Sequence, residues 1–522
     1  MDTLLTAEIV ANSPRFRRKS SIFVDAIHDL PEKADLAPAQ LYSTESGRLF
    51  HSGRIVIITV GLPARGKTHI SVALARYLRW LGVKTRIFHL GDYRRATIPF
   101  GEDMPDDYFY VNATAKSVLL RQKIVRKCRE DIYHFLNHEN GQIAIYDAVN
   151  PLASGRRSLA KEFAKHDIET LFIESWCDDE HIIEENVRRV KISSPDYVSW
   201  KSEDAVKHYL NRISSRIPQF QTMEEKDLNY IKMINAGERL IVNNRSFGYL
   251  SNRIVFYLLN LHIKSRRTYF ARAGVSLDAD SYKADASLSE QGEDYAKKMT
   301  ARLLAHREEE KQAMIERGET GYESRPLKVW TSTRRRTVET AKYLHENGYK
   351  IRQRSQLSQL NPGVCEKMSE NHIRAEFGDE SYHDLAVRLE PIILELEREQ
   401  TDLLIIAHES VLRVLYGYLM ACNAADIPFL EFPRDEIIEI VPESYQNEAQ
   451  RIHIPDLPAE IIPDSPEDLK IPVPPSGVVS PTQGLGTPEG QATPHSGHRT
   501  PSGIRTPRER ERISQQHVED VV

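Results

Sequence analysis

The run Gly61-Leu62-Pro63-Ala64-Arg65-Gly66-Lys67-Thr68 constrains this chain more than any other stretch. It fits G-x-x-x-x-G-K-[ST], a glycine-rich turn whose backbone amides cradle phosphate oxygens. The flanks supply the context that the motif needs. Arg54-Ile55-Val56-Ile57-Ile58-Thr59-Val60 is a β-branched apolar run, which reads as a parallel strand buried on both faces. From His69 to Trp80, apolar residues recur at helical spacing: Ile70, Val72, Ala73, Leu74, Tyr77, Leu78. Strand, turn and helix in that order bring successive N–H groups and a helix N-terminus to one point. Lys67 would then reach the β/γ oxygens of a nucleotide, and Thr68 would ligate Mg²⁺. A plain βα turn of small residues fits the loop alone but not the loop with these flanks.

Composition bounds the rest. A chain of 522 residues is expected to hold two or more domains, and 40% apolar with 28% charged residues is a globular balance. A net charge of -5 gives no reason to expect nucleic acid or an anionic membrane as partner. No apolar run approaches the ~20 residues of a membrane span, and no secretory signal is read at the N-terminus. Cys128, Cys177, Cys365 and Cys422 form neither a C-x-x-C pair nor a metal-ligand spacing. A reducing, cytoplasmic location is the simplest expectation.

Composition also shifts along the chain. Residues 1–50 lack sustained periodicity, carry Arg15-Phe16-Arg17-Arg18-Lys19, and read as a disordered arm. Residues 51–263 alternate β-like runs with helical patterns. Strands are expected at 54–60, 85–90, 142–147 and 170–174, with helices near 115–138, 155–166 and 180–191. A second α/β unit, residues 264–462, opens with Arg267-Thr268-Tyr269-Phe270-Ala271 and has further strands at 328–332 and 402–408. Residues 463–522 are rich in Pro, Gly, Ser and Thr and too poor in hydrophobes to build a core.

Three features narrow the chemistry of the first unit. Asp147 ends an apolar strand, where a second Mg²⁺-positioning carboxylate belongs. Arg94 and Arg95 follow the second strand, on the edge of a parallel sheet where ligands bind. Arg121, Arg156, Lys191 and Arg212 add cations suited to phosphate, although each taken singly is more often a solvated surface residue. No guanine-reading N-K-x-D motif is present, which favours ATP over GTP.

Several separate motifs agree on one resemblance. The phosphate loop, Gly91-Asp92-Tyr93-Arg94-Arg95, Asp147-Ala148-Val149-Asn150, Phe172-Ile173-Glu174-Ser175-Trp176-Cys177 and Val190-Lys191-Ile192-Ser193-Ser194-Pro195-Asp196-Tyr197 resemble the 6-phosphofructo-2-kinase/fructose-2,6-bisphosphatase family, from about Arg54 to about Arg451. The resemblance implies an α/β fold: a P-loop kinase domain with a parallel sheet flanked by helices, then a histidine-phosphatase-like (phosphoglycerate-mutase-like) α/β domain. It implies transfer of the ATP γ-phosphoryl to the 2-hydroxyl of fructose 6-phosphate, making the glycolytic regulator fructose 2,6-bisphosphate. Gly61 to His69 (Gly61, Leu62, Pro63, Ala64, Arg65, Gly66, Lys67, Thr68, His69) would hold ATP, with Asn186, Val187, Arg188, Arg189, Val190 and Lys191 contributing. Lys67, Asp147 and Cys177 match kinase active-site positions, although the Cys could simply pack. Thr68 and Asp147 match the Mg²⁺ positions, and Arg94, Arg121, Arg156, Lys191 and Arg212 match sugar-phosphate positions. The resemblance also implies a homodimer through the kinase half.

Two departures touch that site. Val149 stands where the family has Thr, and Arg216 lies near a family Tyr. One missing neutral hydrogen bond costs about 0.5–1.5 kcal/mol, roughly threefold to tenfold in affinity. The second half departs further. The family's phosphatase opens Arg-His-Gly-Glu, whereas this chain has Arg272-Ala273-Gly274-Val275, and a methyl group cannot form a phosphoenzyme. Ala279 replaces a family Asn, Lys283-Ala284-Asp285-Ala286-Ser287 replaces a Gly-rich segment, and 368–381 is shorter than the family's by about a dozen residues or more. Arg272, Arg336, Glu366 and His408 persist around Ala273 as a vestigial phosphatase site. The expectation is a kinase without bisphosphatase activity; the alternative is a non-catalytic nucleotide- and sugar-phosphate-binding regulator of the same fold. In the tails, Ser480, Thr487, Thr493, Thr500 and Thr506 each precede Pro, and Arg17-Arg18-Lys19-Ser20 fits R-R-x-S, which are patterns for regulatory protein kinases.

Overall fold

The computed structural model describes residues 54–97, 105–109, 113–180, 182–183, 186–187, 202–214, 219–262, 266–277, 285–316, 326–359, 382–442 and 446–457. The first half runs β1 (Arg54–Val60), α1 (Lys67–Trp80), β2 (Thr85–His89), α2 (Leu90–Thr97), α3 (Ala115–His138), β3 (Ile143–Asp147), α4 (Ala153–Ala164), β4 (Ile168–Trp176), α5 (Ser202–Ser214), β5 (Tyr230–Ile234), β6 (Arg239–Asn243) and α6 (Tyr249–Asn260). Its six strands lie in the order β2-β3-β1-β4-β5-β6. The second half runs β7 (Thr268–Arg272), α7 (Glu290–Glu316), β8 (Leu327–Thr331), β9 (Ile351–Gln353), α8 (Tyr382–Arg398), β10 (Asp402–Ala407), α9 (Glu409–Leu419), β11 (Glu436–Pro442) and β12 (Asn447–His453). Its order is β12-β11-β7-β10-β8-β9.

Every strand expected from the sequence is present, and those strands pair in parallel. The sheets as wholes are mixed, with antiparallel strands added at their edges to the parallel strands expected. β6 runs antiparallel to β5, and β11 antiparallel to both β7 and β12. The reason is local. β5 and β6 are joined across Asn235, Ala236 and Gly237, all at positive φ (48°, 59° and 98°), a turn too short for a parallel crossover.

Why β1 is apolar throughout follows from its place. Ile55 and Ile57 face one buried cluster, and Val56, Ile58 and Val60 face another on the opposite side of the sheet. Each face is covered by helices, so alternation of polar and apolar residues is absent. β10 has the same character in the second sheet, with Leu403 and Ile405 on one side and Leu404 and Ile406 on the other.

The two halves share one apolar layer. A single buried cluster takes in Ile70, Leu74 and Tyr77 of α1, Ile254 and Tyr257 of α6, Leu389 and Ile393 of α8, Leu412 and Leu415 of α9, and Trp330 of β8. Within it lies a buried polar network. Arg76 of α1 pairs with Glu397 of α8 at 2.6 Å, and the side chains are 9% and 6% exposed. Tyr418 donates to the same Glu397 oxygen at 2.6 Å, and Tyr257 donates to the Ala73 carbonyl at 3.1 Å while stacking on Tyr77. Burial alone would raise the Glu397 pKa, but the charges of Arg76 and Arg266 and the Tyr418 and Arg76 hydrogen bonds hold it below the usual carboxylate range. Among the described residues, no helix is long and apolar enough to cross a membrane.

Candidate active site

The phosphate loop joins β1 to α1 as the motif requires. Gly61 has φ 142°, and a Cβ there would meet the Ser175 carbonyl oxygen at 2.6 Å, so only glycine fits. Gly66 at φ 80° turns the chain into α1, and Ala64 also holds a positive φ of 58°. Neighbouring strands brace the loop. Gly61 N donates to the Val149 carbonyl at 3.1 Å, Asn186 Nδ2 donates to the Ala64 carbonyl at 3.0 Å, and Ser175 Oγ bonds the Arg65 carbonyl. Val187 packs with Ala64 and Ile213. Asn186 and Val187, expected at the nucleotide, therefore do reach the loop. Lys67 Nζ donates to the Leu62 carbonyl at 2.6 Å, curled over the turn it belongs to.

Asp147 sits beneath the loop, 8% exposed, at the end of β3. Thr68 Oγ1 donates to its Oδ2 at 2.8 Å. His89 Nδ1 lies 2.8 Å from the same oxygen, and Thr59 Oγ1 lies 3.1 Å from Oδ1. Burial would raise the Asp147 pKa, but the hydrogen bond and charge of His89, the charge of Lys67 and the Thr68 hydrogen bond outweigh it and keep the group ionised. The residues present fit a nucleotide–Mg²⁺ pair: a glycine cradle that any Cβ would fill, a cation beside it, and a hydroxyl bonded to a buried carboxylate at the helix N-terminus.

The other expected kinase residues separate. Cys177 is 6% exposed, its thiol 3.6 Å from the Asp179 carbonyl, and burial pushes its pKa up; it is a packed thiol at the loop's flank rather than a nucleophile. Arg94 lies in α2, 7% exposed. Arg121 opens onto a cavity of about 490 Å³ with Arg126, Arg129 and Tyr133, and no phosphate-loop residue lines it. Arg156 departs most from expectation. It is wholly buried, bonds Glu225 at 2.7 Å, and donates to the carbonyls of Asn150, Pro151 and Gln221 at 3.1, 3.1 and 2.9 Å. With its donors so used it holds the loop after Asp147 instead of reaching for a sugar phosphate. Arg212 lies on α5, and nothing is described of its side chain. Arg188, Arg189, Val190, Lys191, Arg216 and Glu366 lie outside the described residues, as do segment 368–381, Ala279 and all the tail sites.

The second half keeps a cluster of arginines around Ala273 and His408. Ala273 is 3% exposed; its N–H donates to the Ala407 carbonyl at 3.0 Å and its carbonyl accepts from Arg434 Nε at 3.0 Å. Arg272 pairs with Glu409 at 2.7 Å. Arg336 donates to His408 Nδ1 at 2.7 Å and to Gln359 at 2.8 Å. Burial, then the charges of Arg336, Arg334, Arg272 and Arg434, drive the His408 pKa far down, so the ring is neutral and its proton sits on Nε2. Among the described residues, that Nε2 is buried without a hydrogen-bond partner. Sequence reasoning missed Thr59, His89, Arg334 and Arg434. The first two lie near the ends of strands adjoining β3, a signal available only once strand order is known; Arg334 stands two residues before Arg336, and Arg434 stands in no motif.

Fold and site together define an α/β protein with a nucleotide-phosphate loop, joined to a second α/β half whose arginines ring an alanine. Residues 42–265 match the family described as 6-phosphofructo-2-kinase, and residues 269–455 match the histidine phosphatase superfamily, branch 1. A Saccharomyces cerevisiae protein with the provisional name 6-phosphofructo-2-kinase/fructose-2,6-bisphosphatase is 39% identical, over 83% of this chain and 90% of its own length. Human 6-phosphofructo-2-kinase/fructose-2,6-bisphosphatase 1 is 32% identical, over 84% of this chain and 96% of its own. A Gallus gallus 6-phosphofructo-2-kinase/fructose-2,6-bisphosphatase is 33% identical, over 81% of this chain and 89% of its own length. The chain belongs to the 6-phosphofructo-2-kinase/fructose-2,6-bisphosphatase family.

Proposed function

We propose that this chain is a 6-phosphofructo-2-kinase: it transfers the ATP γ-phosphoryl to the 2-hydroxyl of fructose 6-phosphate, and its phosphatase half does not hydrolyse the product. The observation that carries the kinase reading is the Thr68–Asp147 bond at the mouth of the phosphate loop. Thr68, with Asp147 behind it, would hold Mg²⁺, which would supply charge neutralisation for the phosphates. The chain's own residues do the rest. Loop amides and Lys67 bind and orient the polyphosphate, and the ionised Asp147 keeps Thr68 turned to the cation. By family position Arg94, Lys191 and Arg212 would meet the sugar phosphate, while Arg156 holds the loop after Asp147. ATP-dependent formation of fructose 2,6-bisphosphate by the purified protein tests this. ATP binding without product would favour the regulator reading, which the missing hydroxyl at Val149 supports.

Val149→Thr is expected to lower KM for fructose 6-phosphate by roughly threefold to tenfold, the worth of one hydrogen bond, with kcat little changed. Steady-state kinetics at saturating ATP check it, and an unchanged or raised KM removes the inferred contact.

Loss of hydrolysis rests on Ala273. Full-length protein incubated with labelled fructose 2,6-bisphosphate is expected to release no phosphate and form no phosphohistidine. Ala273→His is expected to restore little, because Val275 stands where the family has Glu. Release by the wild-type chain that His408→Ala abolishes would overturn this. The clustered arginines and the neutral His408 suit retention of a phosphorylated ligand without turnover.

The domain limits 51–263 and 264–462, a cytoplasmic location and tail phosphorylation belong to the same reading. So does a homodimer. β6 is an edge strand with Ile241 and Val242 49% and 40% exposed, an edge that a second copy would cover.

A further inference from the structure

We propose that His89 is a positioning residue for the kinase site: it holds the Asp147 carboxylate in the orientation that the metal–nucleotide complex requires. The inference rests on the kinase reading above and adds a residue to it. Strand order is the first observation. β3 lies between β2 and β1, and His89 and Asp147 are register partners on the parallel β2–β3 pair, so their side chains leave the same face of the sheet. Thr59, on the other flank, is the penultimate residue of β1. Asp147 is therefore clasped from both sides. Thr59 Oγ1 stands 3.1 Å from Oδ1 and His89 Nδ1 stands 2.8 Å from Oδ2.

The second observation is the division of work at Oδ2. That oxygen receives both Thr68 Oγ1–H and His89 Nδ1–H, each at 2.8 Å. Thr68 is the residue that turns toward the cation. With its proton committed to Asp147, its lone pairs face the loop mouth. A carboxylate bonded by Thr68 alone on that side could rotate about its Cβ–Cγ bond and release the hydroxyl. His89 removes that freedom, and its 4% exposure keeps water from substituting for it. Partners of a metal-site carboxylate that act this way typically change metal affinity by about 10–100-fold when removed.

The test separates orientation from packing. His89→Phe fills the ring's volume without a donor. His89→Asn loses the ring but places an amide N–H where Nδ1 stands, since both atoms are bonded to Cγ. Calorimetry would measure binding of a non-hydrolysable ATP analogue with and without Mg²⁺, beside melting temperature and kinase rate. His89→Phe is expected to lose about tenfold or more of the affinity that Mg²⁺ adds, with metal-free binding unchanged. His89→Asn is expected to keep that gain within about threefold of wild type. A Phe variant that retains the Mg²⁺ gain overturns the proposal, and so does an Asn variant that loses it. Where Phe is not accommodated, the Asn variant alone decides, because ring packing as the true role predicts loss there. Wild-type Mg²⁺-dependent binding without any fructose 2,6-bisphosphate formation would sink the kinase reading and leave the role of His89 standing.

Discussion

Lys67→Ala is expected to lower kinase turnover by about 10³-fold or more while leaving the melting temperature near that of wild type. Lys67 is half-buried at the first position of α1, and its Nζ donates to the Leu62 carbonyl within its own loop. It belongs to none of the buried apolar clusters, so its removal opens no gap in them. The transferring phosphoryl group, by contrast, loses the cation aimed at its developing charge in a place where compensation by solvent is poorest. Product formation under saturating ATP and fructose 6-phosphate measures the loss, and thermal unfolding shows that the fold survived. A variant that turns over at the wild-type rate would remove the nucleotide assignment of Gly61–Thr68.

Glu397→Ala is expected to destabilise the protein by about 3–5 kcal/mol, because it leaves the Arg76 guanidinium buried beside no carboxylate. Tyr418, whose hydroxyl donates to Glu397 at 2.6 Å, loses its acceptor at the same time. Replacing both charges, Arg76→Met with Glu397→Met, is expected to recover most of that loss, since well-packed apolar groups of similar volume commonly match a buried pair. Denaturant or thermal unfolding of the full chain reads both effects. The pair joins α1, which carries Lys67 and Thr68 at its start, to α8 of the second half. A full-size loss in the single variant would mean that the nucleophile-free half still contributes to holding the kinase half together. An unchanged single variant would mean that the Arg76–Glu397 pair adds little beyond the apolar layer and the Arg253–Glu390 pair that also join the halves.

Legibility in the sequence tracked how local each determinant is. The strand at Arg54–Val60, the glycine turn and α1 were readable because each is set by residues adjacent in the chain: a β-branched run, positive-φ positions and a helical apolar spacing. Asp147 was readable because a carboxylate closing a buried strand is a local anomaly. The absence of an attacking imidazole at Ala273 needed only the resemblance and one residue. The β5–β6 hairpin was not read, because Tyr230–Ile234 is short and polar at alternate positions, and its partner β6 is largely exposed.

Tertiary structure alone decided which cations hold the frame. Arg156 reads like the other arginines in the chain, yet it is consumed by Glu225 and four carbonyls contributed from two loops. The same holds for His89, whose partner lies 58 residues away and becomes a neighbour only because β2 pairs with β3. The shared apolar layer and the Arg76–Glu397 pair, 321 residues apart, are likewise products of packing. The physical reason is common to all three. Local sequence sets backbone conformation and the sidedness of each element, whereas the fate of a buried charge depends on which distant donor or acceptor the assembled sheets bring within hydrogen-bond reach.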